Sequence, residues 1–512
     1  MYSKLLRALS LLLALIMLSA VAISCDNTST EDNETEAATK DKLNDDFSED
    51  EFPNTDFPPS YNGPDFEGEE ITILIRDNIL YSREWCKEEA EDELDEVIAM
   101  RDKEFSYKFD LNVKYELVPD ASHDTFATAF NEIVANDVNS GTHKYDIAAN
   151  GAYTGTIAAL RDCVANLNNK QAFPYFDFSF PCWNQSLVKN TTINDRLYYI
   201  AGDMNFSMFD SATVLWCNES LYNRYKEESD PEDIQQYAID GKWTYDDLYA
   251  LASRFYTDDG TSEGLNALGF SEAEGDTPYD AIPYAWDLDF VVTNTDGTHS
   301  FSFENNQKAE EALGKLRTLI NAKGTRKNAD VEDFAGGHYL FWAGPICSSV
   351  EYNDTIREMD YRYCILPVPK YEASQEKYRT TVNGDYNLIT VLKHFNSTLP
   401  TKGDAVSAYL QFTAEDYFAV VRELYFQERV NTKFVGAAPN HVVHKGVFLR
   451  IVDGIELDYR TIYSTQLNNI TRLWRDTVST DGTLESAYLQ NKDAYEQALK
   501  DTDAWLGLKP KS

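Results

Sequence analysis

Ile71-Thr72-Ile73-Leu74-Ile75, led in by Glu69 and Glu70 and followed by Arg76 and Asp77, is the stretch that decides the fold. Its β-branched and aliphatic run has the length and composition of a strand covered on both faces. Glu88 to Phe105 follows as a predicted helix, with Leu94, Val97, Ile98 and Phe105 on one side and acids in its first turn. Leu111 to Val118 reads as a second strand, Thr125 to Ala135 as a helix, and Tyr145-Asp146-Ile147-Ala148-Ala149 as a third strand. That strand ends in the turn signal Asn150-Gly151, and Thr156 to Leu160 resumes a helical pattern. Strands alternating with helices predict an α/β fold on a parallel sheet.

The alternation continues towards the C-terminus. Thr213 to Cys217 is a strand. Thr244 and Asp247 make a capping-box variant, and Trp243 with Leu248 forms a hydrophobic staple, so Trp243 is structural. Asn305 and Asn306 cap a helix whose buried face is Ala309, Leu313, Leu316 and Ile320, closed by Gly324. Phe334 to Ile346, Tyr363 to Val368 and Leu388 to Leu392 are strand-rich, whereas Lys402 to Phe418 and Thr483 to Leu506 are helical. No internal repeat is visible.

The N-terminus has a different character. Lys4 and Arg7 precede the apolar run Ala8 to Ile23, which is too short for a membrane span of about 20 residues and suits a secretory signal. Val21-Ala22-Ile23-Ser24-Cys25 resembles a bacterial lipobox, which would make Cys25 the lipid-modified first residue; cleavage after Ala22 is the alternative. Asp26 to Glu67 carries fourteen acids against two lysines, with Pro53, Pro58, Pro59 and Pro64 at its far end. Such a segment buries too little apolar surface to fold and reads as an acidic tether. The whole 512-residue chain has 86 acidic and 45 basic side chains, a formal charge of -41, which argues against nucleic-acid binding.

Enzyme signatures are thin. The chain has no phosphate-binding G-x-x-x-x-G-K-[ST] loop, no G-x-S-x-G elbow and no H-E-x-x-H. His441 and His444 are two histidines without further ligands, so no metal or cofactor is implied. Of the seven cysteines, Cys217, Cys347 and Cys364 lie in or beside strands as small hydrophobes, and Cys163–Cys182 is a candidate disulfide. The 13% aromatic content, concentrated near loops and strand ends, suits a sugar site, where rings stack on C–H faces and polar groups bind hydroxyls. Open α/β sheets place ligands at the carboxyl ends of strands. That rule selects Asp77, Asn150 and Tyr153, with Asp385-Tyr386 added as a loop beside a strand.

From about Glu70 to Leu506 the order of pieces resembles the extracellular solute-binding proteins of ABC importers, in particular the maltose-binding-like carbohydrate family (family 1). The resemblance is carried by Tyr145-Asp146-Ile147 with Leu160-Arg161-Asp162, by Leu197-Tyr198-Tyr199-Ile200-Ala201-Gly202, and by Val214-Leu215-Trp216-Cys217-Asn218 with Ser220-Leu221. Cys217 stands there in place of the usual Tyr. It continues through Trp243-Thr244, Pro278-Tyr279 to Trp286, Phe334-Ala335-Gly336-Gly337-His338, Trp342 with Gly344-Pro345, and Leu366-Pro367-Val368-Pro369. Ile346 replaces an aromatic after that Gly-Pro, which moves the expected stacking plate to Trp342.

The resemblance implies a two-lobed periplasmic-binding-protein-like fold of type II, each lobe a mixed sheet flanked by helices, joined by hinge strands near Asp210–Ser211 and Asp385–Asn387. The expected organisation is a signal over 1–24, a lipid-anchored tether over 25–68, lobe 1 over 69–210 plus about 387–430, and lobe 2 over 211–386 plus about 431–512. The implied function is capture, not catalysis: a monomer held outside the membrane by a lipid on Cys25 binds a carbohydrate and delivers it to an ABC-type permease. Trp342 and Tyr279 are the expected stacking plates, with Asp77, Asn150, Asp210 and Asp385 as polar contacts and Trp85, Trp286 and Tyr386 as further candidates. The alternatives are the same fold holding a cationic solute such as a polyamine, or a surface glycoside hydrolase or glycan-binding adhesin.

Overall fold

The computed structural model describes residues 64–508 except 87–89, 91, 120–122, 161, 258–263, 271–277, 347–354, 357, 383, 385, 394–399 and 431–440. The expected signal, Cys25, most of the tether, Cys347 and Asp385 therefore lie outside the described residues. Eleven strands occur among the described residues: β1 (Glu69–Asp77), β2 (Leu111–Pro119), β3 (Ile147–Gly151), β4 (Thr213–Asn218), β5 (Asn266–Phe270), β6 (Val291–Thr293), β7 (His299–Phe301), β8 (Thr325–Lys327), β9 (Tyr339–Pro345), β10 (Tyr363–Pro367) and β11 (Asn387–Val391).

Two larger sheets organise them. The first has the order β11-β3-β1-β2 and the second β10-β4-β9-β5-β8, with β6-β7 a separate hairpin. β1 is parallel to β2 and β3, as the strand–helix alternation predicts. The sheet is mixed, however, because β11 returns antiparallel to β3 from far along the chain. In the second sheet β4 is antiparallel to both β9 and β10. The central position of β1 explains its aliphatic run: Ile71, Ile73, Leu74 and Ile75 are all buried, while the edge strand β2 is mostly half-exposed.

Helix Glu93–Phe109 starts five residues after the predicted Glu88, because the Asp92 carboxylate caps it by accepting from Asp95 N–H at 2.9 Å. Its Phe105 and Phe109 rings pack on Tyr409 and Phe412 of helix Pro400–Tyr425, which also lies against β1. Asp247 accepts from both the N–H (2.8 Å) and the hydroxyl (2.7 Å) of Thr244, so the expected capping box starts helix Tyr245–Arg254. Trp243 is fully buried and donates its indole N–H to Pro367.

Several expectations are corrected. Asn150-Gly151 is not a turn but the end of β3, paired with Leu388 and Asn387. Phe66 and Gly68, assigned to the tether, already donate to the Phe109 and Asp110 carbonyls. Helix Gln307–Ile320 is capped by Asn306 and ends at Asn321, not Gly324. Gly324 serves a close approach instead: a Cβ there would lie 2.6 Å from the carbonyl oxygens of Ala252 and Phe255. The predicted helix Thr483–Leu506 is two, Leu484–Gln490 and Lys492–Trp505, broken where Asn491 leaves helical geometry. Cys163 and Cys182 are both buried thiols, not bonded to one another.

The chain passes between the two larger sheets at 205–212 and again at 380–382. These passages pair with each other through the Ala212–Val382 bridge and the Thr213 N–H to Thr381 carbonyl bond of 3.0 Å. Helix His441–Asp453 packs on β10, whereas Thr465 and Gln466 bond to Tyr153 and Thr156 beside β3. The C-terminal segment thus touches the surroundings of both sheets. Replacing Asp247 with Ala removes two bonds at a helix start and is expected to cost about 1 kcal/mol. Urea denaturation checks this, and an unchanged midpoint would show that the box adds nothing.

Candidate functional site

β1 and β3 run parallel and end together, and the antiparallel β11 begins at the same edge. This carboxyl edge meets the first passage between the sheets, where the Asn387 N–H donates to Ser207 Oγ. Ile75 pairs with Ala149, so the next residues in that register, Arg76 and Asn150, are neighbours on one face. Asn150 is 3% exposed, and neither its amide oxygen nor its amide nitrogen has a hydrogen-bond partner. A buried amide left unpaired costs about 1–3 kcal/mol, which a protein tolerates where the group has another use. Arg76 is buried beside it, its guanidinium 4.1 Å from the Tyr81 ring. Gly151 leaves room for it: a Cβ there would lie 3.0 Å from Arg76 Nη1.

Behind this edge, Glu84 ties three segments together. Its carboxylate accepts from Asn205 Nδ2 (3.1 Å) and Ser207 N–H (2.7 Å) in the first passage, and from Asn387 Nδ2 (2.5 Å) at the start of β11. The same Asn387 amide donates to the Tyr81 carbonyl, and its backbone N–H donates to Ser207 Oγ. Burial pushes the Glu84 carboxyl up to about 7, against the lowering pull of the Ser207, Asn387 and Asn205 donors. Next to it Arg83 forms a buried ion pair with Asp210, which also accepts from the Tyr425 hydroxyl at 2.5 Å.

The sequence-predicted residues separate into distinct groups. Asp77 and Asn150 come together at the carboxyl edge, Asp77 exposed and Asn150 buried. Tyr153 stands next to them and donates its hydroxyl to Asn469. Tyr386 is buried at the same edge, its carbonyl accepting from Ala152 N–H. Asp210 is buried behind the edge, its carboxylate engaged by Arg83 and Tyr425.

The expected plates Trp342 and Tyr279, and the further candidates Trp286 and Trp85, are all buried. Trp342 lies mid-strand in β9, 3% exposed, with its indole N–H donated to the Ala329 carbonyl at 2.8 Å. Its ring lies over the bare Cα of Gly344, where a Cβ would come within 2.5 Å. Trp286 is fully buried, bonded to the Pro369 carbonyl and set edge-on to Tyr245 and Tyr371. Trp85 is buried with the Arg101 guanidinium 6.0 Å from its ring. Tyr279 is buried, its ring 4.8 Å from Phe270. Each of these rings packs against neighbouring side chains or backbone.

Sequence reasoning missed Arg76, Arg83, Glu84, Asn205, Ser207 and Asn387. Only Arg76 carried a signal, as a cation ending an aliphatic strand just before the selected Asp77. Among the described residues no group of three or more His, Cys, Asp or Glu could hold a metal ion.

No family model matches the chain, and no curated protein matches it. Solved structures do. The cyclic α-maltosyl-1,6-maltose binding protein of Arthrobacter globiformis superposes with a TM-score of 0.55 at 16% identity, over 86% of this chain and all of that one. The sugar-binding protein MalE of Xanthomonas citri gives 0.55 at 9% identity, again over 86% of this chain and all of that one. A cyclo/maltodextrin-binding protein complexed with maltotetraose gives 0.52 at 13%, over 86% of this chain and 98% of that one.

The Glu84 carboxyl generates a pH prediction. A carboxyl raised in the folded protein binds its proton there while the unfolded chain has lost it, so this group makes stability fall as pH rises from about 4.5 to about 7. Glu84→Gln, neutral throughout, is expected to match wild type at pH 5 and lack that contribution to the slope, a difference on the order of 2–3 kcal/mol by pH 7.5. Urea denaturation of both proteins at the two pH values measures it; parallel slopes would contradict the assignment. The sheets, their two connecting passages and the superpositions together show a two-lobed α/β fold of the type II periplasmic-binding-protein kind.

Proposed function

We propose that this protein is an extracellular receptor that captures a carbohydrate between its two lobes and delivers it to an ABC-type permease. The observation that carries this reading is Asn150: a buried amide with both polar atoms unpaired, at the strand edge where open α/β sheets bind ligands. One amide offers a donor and an acceptor side by side, which matches the paired donor and acceptor character of sugar hydroxyls. The fold supports capture, since two lobes joined by paired passages close as a hinge. The proteins it superposes on are named for sugar binding. Within this reading the protein is not an enzyme, Asn150 and Arg76 are its principal polar contacts, and Asp77 and Tyr153 stand at the rim. Lobe 1 holds the first sheet and lobe 2 the second, and a lipid on Cys25 keeps the receptor near its permease.

The polar inventory favours an oxygen-rich neutral solute over a polyamine. The buried carboxylates behind the edge, Glu84 and Asp210, are committed to Asn387, Arg83 and Tyr425, Asp77 stands exposed at the rim, and the buried neighbour of Asn150 is a guanidinium. A thermal-shift screen against mono- and oligosaccharides, with spermidine as the cationic control, tests the choice, because a ligand of the native state raises its melting temperature. A shift with a sugar and none with spermidine is expected; the reverse would contradict the reading.

Asn150→Ala then separates binding from stability. The variant is expected to lose ten- to a hundredfold in affinity by calorimetry, corresponding to about 1.4–2.8 kcal/mol. Without solute its melting temperature is expected to equal or exceed that of wild type, since an unpaired buried amide is removed. Unchanged affinity would remove Asn150 from the site.

A further inference from the structure

β10 is an edge strand of the five-stranded sheet, and Cys364 on it stands directly opposite Cys217 on β4. Opposed residues of an antiparallel pair lie about 4.5–5.5 Å apart at Cα, and a disulfide spans about 4.4–6.8 Å. Directly opposed side chains leave the sheet on the same face. Both cysteines are fully buried thiols. By contrast, Cys163 adjoins the Val164–Leu392 bridge and Cys182 the Trp183–Gly202 bridge, so no strand register brings those two together.

We propose that Cys217 and Cys364 form a cross-strand disulfide when the chain folds in the presence of a disulfide oxidant. The thiolate of one cysteine attacks a sulfur of the oxidant, forming a mixed disulfide and releasing one thiol of the oxidant. The thiolate of the other cysteine then attacks the cysteine sulfur of that mixed disulfide and releases the second thiol. The two cysteines lose two protons and two electrons, and the oxidant gains both pairs as two thiols.

Burial sets when this happens. Full burial pushes the Cys364 thiol well above its ordinary range, so the attacking thiolate is scarce once the sheet has closed. The bond therefore forms during folding and is shielded afterwards. It fastens an edge strand to its neighbour, and both strands lead into the passages between the lobes: β4 follows Ala212, and β10 precedes Val382. The loop it closes runs to roughly 150 residues, long enough to restrict the unfolded chain strongly.

The test begins with reduced full-length protein, unfolded and then refolded with or without oxidised glutathione. Free thiols are alkylated in denaturant without reductant, and the digest is mapped by mass spectrometry. Refolding with the oxidant is expected to link the peptides carrying Cys217 and Cys364, while the same oxidant added to folded, reduced protein leaves them alkylatable. Alkylation of both after oxidative refolding, or a link from either to another cysteine, would overturn the assignment. Rapid linkage in the folded protein would overturn its dependence on folding. Reduction is expected to lower the wild-type melting temperature by about 5–10 °C and to leave Cys217→Ala/Cys364→Ala unchanged; equal losses in both would overturn the stabilising role. None of these readouts depends on which solute the protein binds.

Discussion

The structure depends on one buried carboxylate. Glu84 leaves the segment after β1 and accepts hydrogen bonds from Asn205 and Ser207 on the first passage between the sheets and from Asn387 at the start of β11. A charged or protonated oxygen in the interior is costly unless donors surround it, so these three segments are held in one relation. The Arg83–Asp210 pair, with Tyr425 on the other carboxylate oxygen, adds helix Pro400–Tyr425 to the same knot. Breaking a buried pair by removing one partner leaves an uncompensated charge, which is why such knots resist piecemeal change.

That knot gives Asn150 its meaning. Polar groups around it that hold the architecture have partners: Glu84 three donors, Asp210 two, and the Asn387 amide nitrogen both Glu84 and Tyr81. Asn150 is as deeply buried and has none. The fold places it one strand away from Arg76, at the open end of a parallel pair, where backbone groups no longer continue the ladder. A buried amide without a protein partner at such a place suits a solute that brings its own donors and acceptors.

Much of the fold was legible because period and composition are local properties. β1 announced itself by an aliphatic run that only a central, doubly covered strand needs, and the Thr244–Asp247 box by its spacing. The return of β11 beside β3 could not be read, since antiparallel pairing across more than two hundred residues leaves no local trace. Asn150 was found by the rule that ligands bind at strand ends. Glu84 and Asn387 were not, because a buried polar contact between distant segments looks, residue by residue, like any surface polar group. Trp342, Trp286 and Trp85 show the converse: a large ring at a strand or loop suits both a sugar and a core, and here Gly344, Tyr371 and Arg101 close around them.

The central claim is that a sugar bound between the lobes satisfies Asn150. The most direct measurement is a crystal structure grown with malto-oligosaccharides of two to four units. The account predicts electron density between the two sheets, with sugar oxygens within about 3 Å of both polar atoms of the Asn150 amide. Sugar bound elsewhere with Asn150 still unpaired would contradict it.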